Sequence, residues 1–70
     1  MTTYEICIHD RLSPQRFQRF EGLTVSHHPS GETVLTGPFS DQSALLGLLN
    51  WLHDLGAVLV FVRRVEETSG

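Results

Sequence analysis

Residues 23–35 read LTVSHHPSGETVL, and this stretch decides the fold because it predicts a β-hairpin at the centre of the chain. Residues 23–28 alternate between apolar and polar side chains, which is typical of a strand with one buried face. Pro29 presets the backbone at the first turn position, and Gly31 supplies the positive φ of a bulged hairpin. The segment therefore predicts two antiparallel strands joined by a short turn.

The register of this hairpin follows from the turn. If His28 pairs with Glu32, Val25 lies opposite Leu35, and Leu23 falls on the same face as both. The apolar pattern and the turn geometry thus agree without adjustment, which strengthens the prediction.

Upstream of the hairpin, the sequence predicts one strand and one short helix. Residues 3–9 alternate, with Tyr4, Ile6 and Ile8 on one face. Ser13 can then cap a helix that has Pro14 at its first position, because proline lacks an N–H that the first turn does not need. Phe17 and Phe20 give this helix its buried stripe, and Gly22 ends it.

Downstream of the hairpin, the sequence predicts a longer helix and a last strand. Gly37 and Pro38 end the third strand, and Ser40 or Asp41 caps a helix that runs to about Leu55. At 100° per residue, one broad arc of this helix is apolar. Gly56 ends the helix, and residues 57–65 form the last strand.

The element order is β-α-β-β-α-β, so we predict one α+β domain over residues 1–70, with residues 67–70 as a flexible tail. By analogy with the ferredoxin-like fold, this order predicts a four-stranded antiparallel sheet with strand order 4-1-3-2 and two helices on one face. A less regular α+β hairpin sandwich is the alternative.

The last strand is unusual because residues 57–62, AVLVFV, are apolar on both faces. In this topology it is an edge strand, and a long apolar edge aggregates unless something covers it. A second copy of the chain is the simplest cover, so we predict a homo-oligomer, in the first instance a dimer.

The predicted contact residues are Leu59, Phe61, Val65 and Val34, on the face of the sheet that the helices leave uncovered, near Cys7. The valines at positions 58, 60 and 62 then face the helices. In the alternative arrangement Leu59 and Phe61 are core residues and the valines lie outside, and an apolar patch remains in either case.

Composition excludes several functions. The formal charge is −3 and the five basic residues are all arginine, so the chain lacks the positive stripe of a nucleic-acid-binding domain. No run of apolar residues is long enough to span a membrane, and the N-terminus does not resemble a signal peptide. A single cysteine fits a reducing compartment, so we predict a cytoplasmic protein.

Catalytic and metal motifs are absent from the sequence. Cys7 and His9 share a strand face, and His28 is a distant third ligand, but a zinc site needs three or four convergent ligands in tight spacing. We therefore predict neither metal nor cofactor. A small dimeric enzyme that uses Cys7 and His9 is the least favoured function.

The segments LTGPFSDQSAL at 35–45, DLG at 54–56 and FEGLTV at 20–25 resemble small uncharacterised bacterial proteins with no known activity. The pair Asp10-Arg11 is similar to the first loop of amino-acid-sensing ACT domains, which implies a ligand site at His9, Asp10 and Arg11. ACT loops usually continue with proline and glycine, where this chain has Leu12 and Ser13. The predicted function is a non-enzymatic interaction module that binds itself or another protein, with an ACT-like sensor as the alternative.

Overall fold

The computed structural model describes residues 1–65, which form four strands, one α-helix and one short 3-10 helix. The strands are β1 (Thr2–Ile8), β2 (Thr24–His27), β3 (Thr33–Phe39) and β4 (Leu59–Val65). The 3-10 helix covers Pro14–Phe17 and the α-helix, α1, covers Gln42–Asp54. The predicted tail at 67–70 lies outside the described residues.

The strands form one antiparallel sheet in the order β2-β3-β1-β4. Read from the opposite edge, this order is 4-1-3-2. The α+β class and the four-stranded antiparallel sheet are thus confirmed. β1 and β3 occupy the centre, and β4 is an edge strand.

The central hairpin has the predicted register. Val25 lies opposite Leu35, and the His28 N–H donates to the Glu32 carbonyl oxygen at 2.8 Å. Gly31 adopts a φ of 96°, a conformation that a side chain would strain.

The prediction of two α-helices was wrong, because the first helical segment is a single 3-10 turn. Ser13 caps it as expected, with its Oγ accepting from the Gln15 N–H at 3.3 Å. Phe17 and Phe20 both pack edge-on against Trp51 of α1, at 5.3 and 5.2 Å between ring centroids. Side chains three residues apart line up in a 3-10 helix, and a segment this short has little intrinsic α-helical stability.

α1 begins at the predicted cap, where the Asp41 carboxylate accepts from the Ala44 N–H at 2.8 Å. Its buried side chains lie over β1 and β3 on one face of the sheet and close the core with Phe17. That core consists of Ile6, Ile8, Phe17, Leu35, Phe39, Leu45, Leu48 and Leu52. The opposite face of the sheet carries no helix within residues 1–65, and we call it the open face.

Candidate functional site

An exposed run of apolar side chains lies at the beginning of β4. β4 pairs with β1 on one side, and no strand within residues 1–65 pairs with its other side. Four consecutive residues, the one before β4 and the first three of β4, are exposed: Val58 by 58%, Leu59 by 50%, Val60 by 46% and Phe61 by 39%. We use the term β4 edge for these four residues together with the side of β4 that faces away from β1.

A β-bulge interrupts the β4 edge. Ile8 lies opposite Leu59 and Cys7 lies opposite Phe61, so Val60 is an extra residue in β4. Since Ile8 belongs to the core beneath α1, Leu59 falls on the helix-covered face. Phe61 falls on the open face with Cys7.

This bulge corrects part of the sequence prediction, which placed Leu59 on the open face and the three valines towards the helices. Val62 lies opposite Ile6 and packs on the core, as predicted. Val58 and Val60, in contrast, are exposed. The strict two-residue alternation that assigned the faces breaks where one residue is inserted.

The other predicted contact residues follow the register. Val65 lies opposite Thr3 and is half-buried. Val34 lies opposite Cys7 on β3, so Phe61, Cys7 and Val34 form an apolar row across the open face. The structure thus places Phe61, Val34 and Val65 on one face and Leu59 on the other.

Cys7 lies between Phe61 and Val34 and is only 2% exposed. Burial raises the pKa of its thiol, and the neighbouring Glu32 and Glu5 carboxylates raise it further. A protonated, covered thiol is a poor nucleophile. His9 is exposed, and its backbone N–H donates to the Val58 carbonyl oxygen at 2.8 Å. This geometry argues against a catalytic role for the Cys7–His9 pair.

Charge begins where the apolar part of β4 ends. The Arg63 Nε donates to the Glu5 Oε1 at 2.7 Å on the open face, and the Arg63 guanidinium lies 6.0 Å from the centroid of the Phe61 ring. The β4 edge is therefore polarised along its length, with an apolar first half and a cationic second half.

The loop after β1 is held by hydrogen bonds to β2, to β3 and to Val58, which directly precedes β4. The buried Thr33 hydroxyl donates to the Asp10 carbonyl oxygen at 2.6 Å and accepts from the Leu12 N–H at 3.1 Å. His27 Nε2 lies 2.7 Å from the Leu12 carbonyl oxygen. The Asp10 carboxylate accepts from the Val58 N–H at 3.1 Å, so this carboxylate fixes the start of the apolar segment.

Two of the three predicted ligand residues line a cavity. Asp10 and Arg11 border a space of about 290 Å³, together with Arg16 and the turn at 55–57 after α1. Both arginines are exposed. His9 does not contribute to this lining and meets β4 through its backbone instead.

A larger cavity, of about 420 Å³, lies at the other end of the sheet, and sequence reasoning missed it. Its walls are mostly apolar and come from residues 20–23, residues 38–40, Met1 and Ala44. Gly22 and Pro38 lie side by side in this lining. In the sequence they predict only the ends of secondary-structure elements.

Metal ligands do not cluster in the part of the chain that the structure describes: no group of three His, Cys, Asp or Glu side chains converges there. Within the same residues, no helix has the length and apolar character needed to cross a bilayer.

A family model described as a domain of unknown function (DUF8691) matches residues 3–63. This match spans every strand and helix of the fold except the last two residues of β4 and the first of β1. No curated protein and no solved structure matches the chain.

Proposed function

From the geometry of a chain that belongs to this DUF8691 family, we propose a non-enzymatic interaction module that self-associates through the β4 edge. The observation that carries the proposal is the run of four exposed apolar side chains, residues 58–61, at the start of an edge strand and just before it. Proteins normally protect such an edge with charge, proline or a covering element. In this chain the charge begins only at Arg63, after the apolar run.

The two edges of the sheet differ, and the difference supports β4 as the proposed binding edge. β2, at the opposite edge, has four residues, and Thr24, Ser26 and His27 are exposed and polar. β4 has seven residues and presents apolar side chains at an edge that no other strand within residues 1–65 covers. Burying apolar surface releases about 25 cal/mol per Å², so covering β4 is the more favourable association.

A second copy of the chain is the proposed occupant. A strand that pairs with β4 must be extended, apolar over at least four residues and uncharged there. β4 of another molecule meets each of these requirements and is always present at equal concentration. One strand buries less than the roughly 1,200–2,000 Å² of a stable complex, so we expect a dimer that dissociates on dilution.

Within this proposal, the sheet belongs to the ferredoxin-like group, with its first helix reduced to the 3-10 turn. Bacterial origin and a cytoplasmic location stay predictions from the sequence.

Sedimentation velocity over a hundredfold range of concentration tests the proposal. We expect the sedimentation coefficient to rise from the monomer to the dimer value. Val60→Lys places a charge in the β4 edge and should abolish the rise. Leu46→Lys is the matched control, because Leu46 is 51% exposed on the outer side of α1, and this variant should still associate. A wild-type chain that stays monomeric at the highest concentration would refute the proposal.

The cavity beside the first loop favours a second candidate function. Two arginines, Arg11 and Arg16, and the Asp10 carboxylate border it, which suits a small ligand that carries a carboxylate, as in an ACT-like sensor. A thermal-shift screen with amino acids tests this function, since a ligand at 100 times its Kd stabilises by about 2.7 kcal/mol. Arg11→Ala should remove the shift. The absence of any shift for the wild-type chain would eliminate this candidate.

A further inference from the structure

Resting on the proposed function, we infer that β4 pairs with β4 of a second copy in one antiparallel register, with Leu59 opposite Val62 of the second copy. The two-fold axis then passes between Val60 and Phe61, perpendicular to the sheet. The pairing makes one continuous eight-stranded sheet, and α1 of both copies lies on the same side of it.

The bulge selects this register. Paired residues in an antiparallel sheet point to the same face. Because the bulge inserts one residue, Leu59 and Val62 lie on the same face although they are three positions apart, opposite Ile8 and Ile6 respectively. A register that aligns Leu59 with Val62 of the second copy therefore matches the helix-covered faces of the two molecules.

The same register also matches the bulges. Between Leu59 and Val62, each strand contributes two residues, Val60 and Phe61, and each pair lies opposite the other pair. The extra residue, Val60, would blunt the edge against an ordinary strand; here it lies opposite Phe61 of the second copy, so the two bulged segments have equal length. A shift by one position would place Leu59 opposite Phe61, which lies on the other face.

Charge disfavours the main alternatives. In the inferred register Arg63 lies opposite Val58 of the second copy, so the cationic halves of the two strands project from opposite ends. A parallel pairing in register, or an antiparallel pairing centred on Arg63, would place the two Arg63 side chains directly opposite each other. Like charges in that position destabilise a sheet.

Disulfide cross-linking tests the register. The variant with Leu59→Cys and Val62→Cys, in a Cys7→Ala background, should oxidise to a covalent dimer, since opposite residues have Cα atoms about 4.5–5.5 Å apart and a disulfide needs about 4.4–6.8 Å. The variant with Leu59→Cys and Arg63→Cys would form a disulfide only if the register were shifted by one residue. We expect this variant to give little covalent dimer.

A distance measurement supports the test if the cysteine variants fold poorly. A spin label at position 63 is tolerated because the Arg63 side chain is 66% exposed. The inferred register separates the two labelled backbones by five residues, about 17 Å along the strand, whereas pairing centred on Arg63 brings them adjacent.

The outcomes separate the two proposals. Cross-linking at 59 and 62 with a long label distance supports the register. A dimer by sedimentation that cross-links only through the 59 and 63 pair, or that shows adjacent labels, refutes the register and leaves the proposed function standing. A chain that shows no dimer by sedimentation overturns both.

Discussion

Gly37 packs against Gly22 so closely that a Cβ on Gly37 would lie 2.7 Å from the Gly22 carbonyl oxygen. The same Cβ would lie 3.2 Å from the Leu23 Cα. Both contacts are with backbone, which cannot rotate away as a side chain can. This contact therefore fixes the entry into β2 against the end of β3.

Gly37→Ala should destabilise the fold by about 1–3 kcal/mol, because an added methyl group forces the backbone apart. Gly47→Ala is the control: Gly47 lies within α1, and its Cβ would meet nothing within 4 Å. Alanine in a helix interior is favoured over glycine by about 0.5–1 kcal/mol, so this variant should be more stable than wild type. Urea unfolding measures both, and equal stability of the two variants would contradict the packing argument.

Thr33→Val should destabilise the fold by about 1–3 kcal/mol while keeping its shape, since it removes the hydroxyl that bonds Asp10 and Leu12. The Asp10 carbonyl and the Leu12 N–H would then lose a protein partner. Thr36→Val on the open face of the same strand is the control, because its hydroxyl makes no such bridge to the loop. If both variants lose the same stability in urea, the loop is not held by Thr33.

Cys7 should make the fold less stable in alkaline solution. Its folded-state pKa is raised, so above the ordinary cysteine value of about 8.5 the unfolded chain releases a proton that the folded chain retains. The free energy of unfolding should therefore fall as the pH rises through that value, and should not depend on Cys7 ionisation below it.

Unfolding by urea at pH 7 and at pH 9.5 measures this effect, with Cys7→Ala as the comparison. The loss of stability between the two pH values should be smaller in the variant. An equal loss in both proteins would show that other groups cause it. The native thiol should also react slowly with a disulfide reagent, because it is 2% exposed.

Local signals explain which parts of the fold the sequence could predict. The hairpin depends on Pro29 and Gly31, and α1 depends on the Asp41 cap and on Gly56, which has a φ of 82°. Each of these signals acts over a few residues. The hairpin, its internal pairing and α1 were therefore readable directly from the chain.

Contacts between distant residues explain the rest. The first helical segment is a 3-10 turn whose Phe17 and Phe20 both pack against Trp51 of α1. The bulge at Val60 depends on how β4 meets β1, some fifty positions earlier. Periodicity within β4 gave an unbroken alternation and so misplaced Leu59. The exposed apolar segment could still be predicted from the sequence. All residues from 57 to 62 are apolar, so an edge strand exposes apolar side chains whichever face each of them takes.

Asp41→Ala should destabilise the fold by about 1 kcal/mol, because the Ala44 N–H loses its capping carboxylate. Asp41→Asn keeps an oxygen acceptor at the same place and is an equally good capping residue. We expect urea unfolding to show most of the stability restored in the asparagine variant. Equal losses in the two variants would mean that the cap is not the cause.

Val60 and Val62 should separate the role of β4 in the fold from its role in association. Val62 packs on the core opposite Ile6, so Val62→Ala should cost about 1 kcal/mol of monomer stability. Val60 is 46% exposed at the bulge, so Val60→Ala should change monomer stability by less than about 0.5 kcal/mol. Sedimentation at high concentration should nevertheless show weaker dimerisation for Val60→Ala, since this side chain lies at the inferred two-fold axis.

Urea unfolding at low concentration, where the chain is monomeric, measures the stability of the monomer independently of its association. If Val60→Ala associates as strongly as wild type, its side chain is not part of the contact, and the apolar edge binds through other residues.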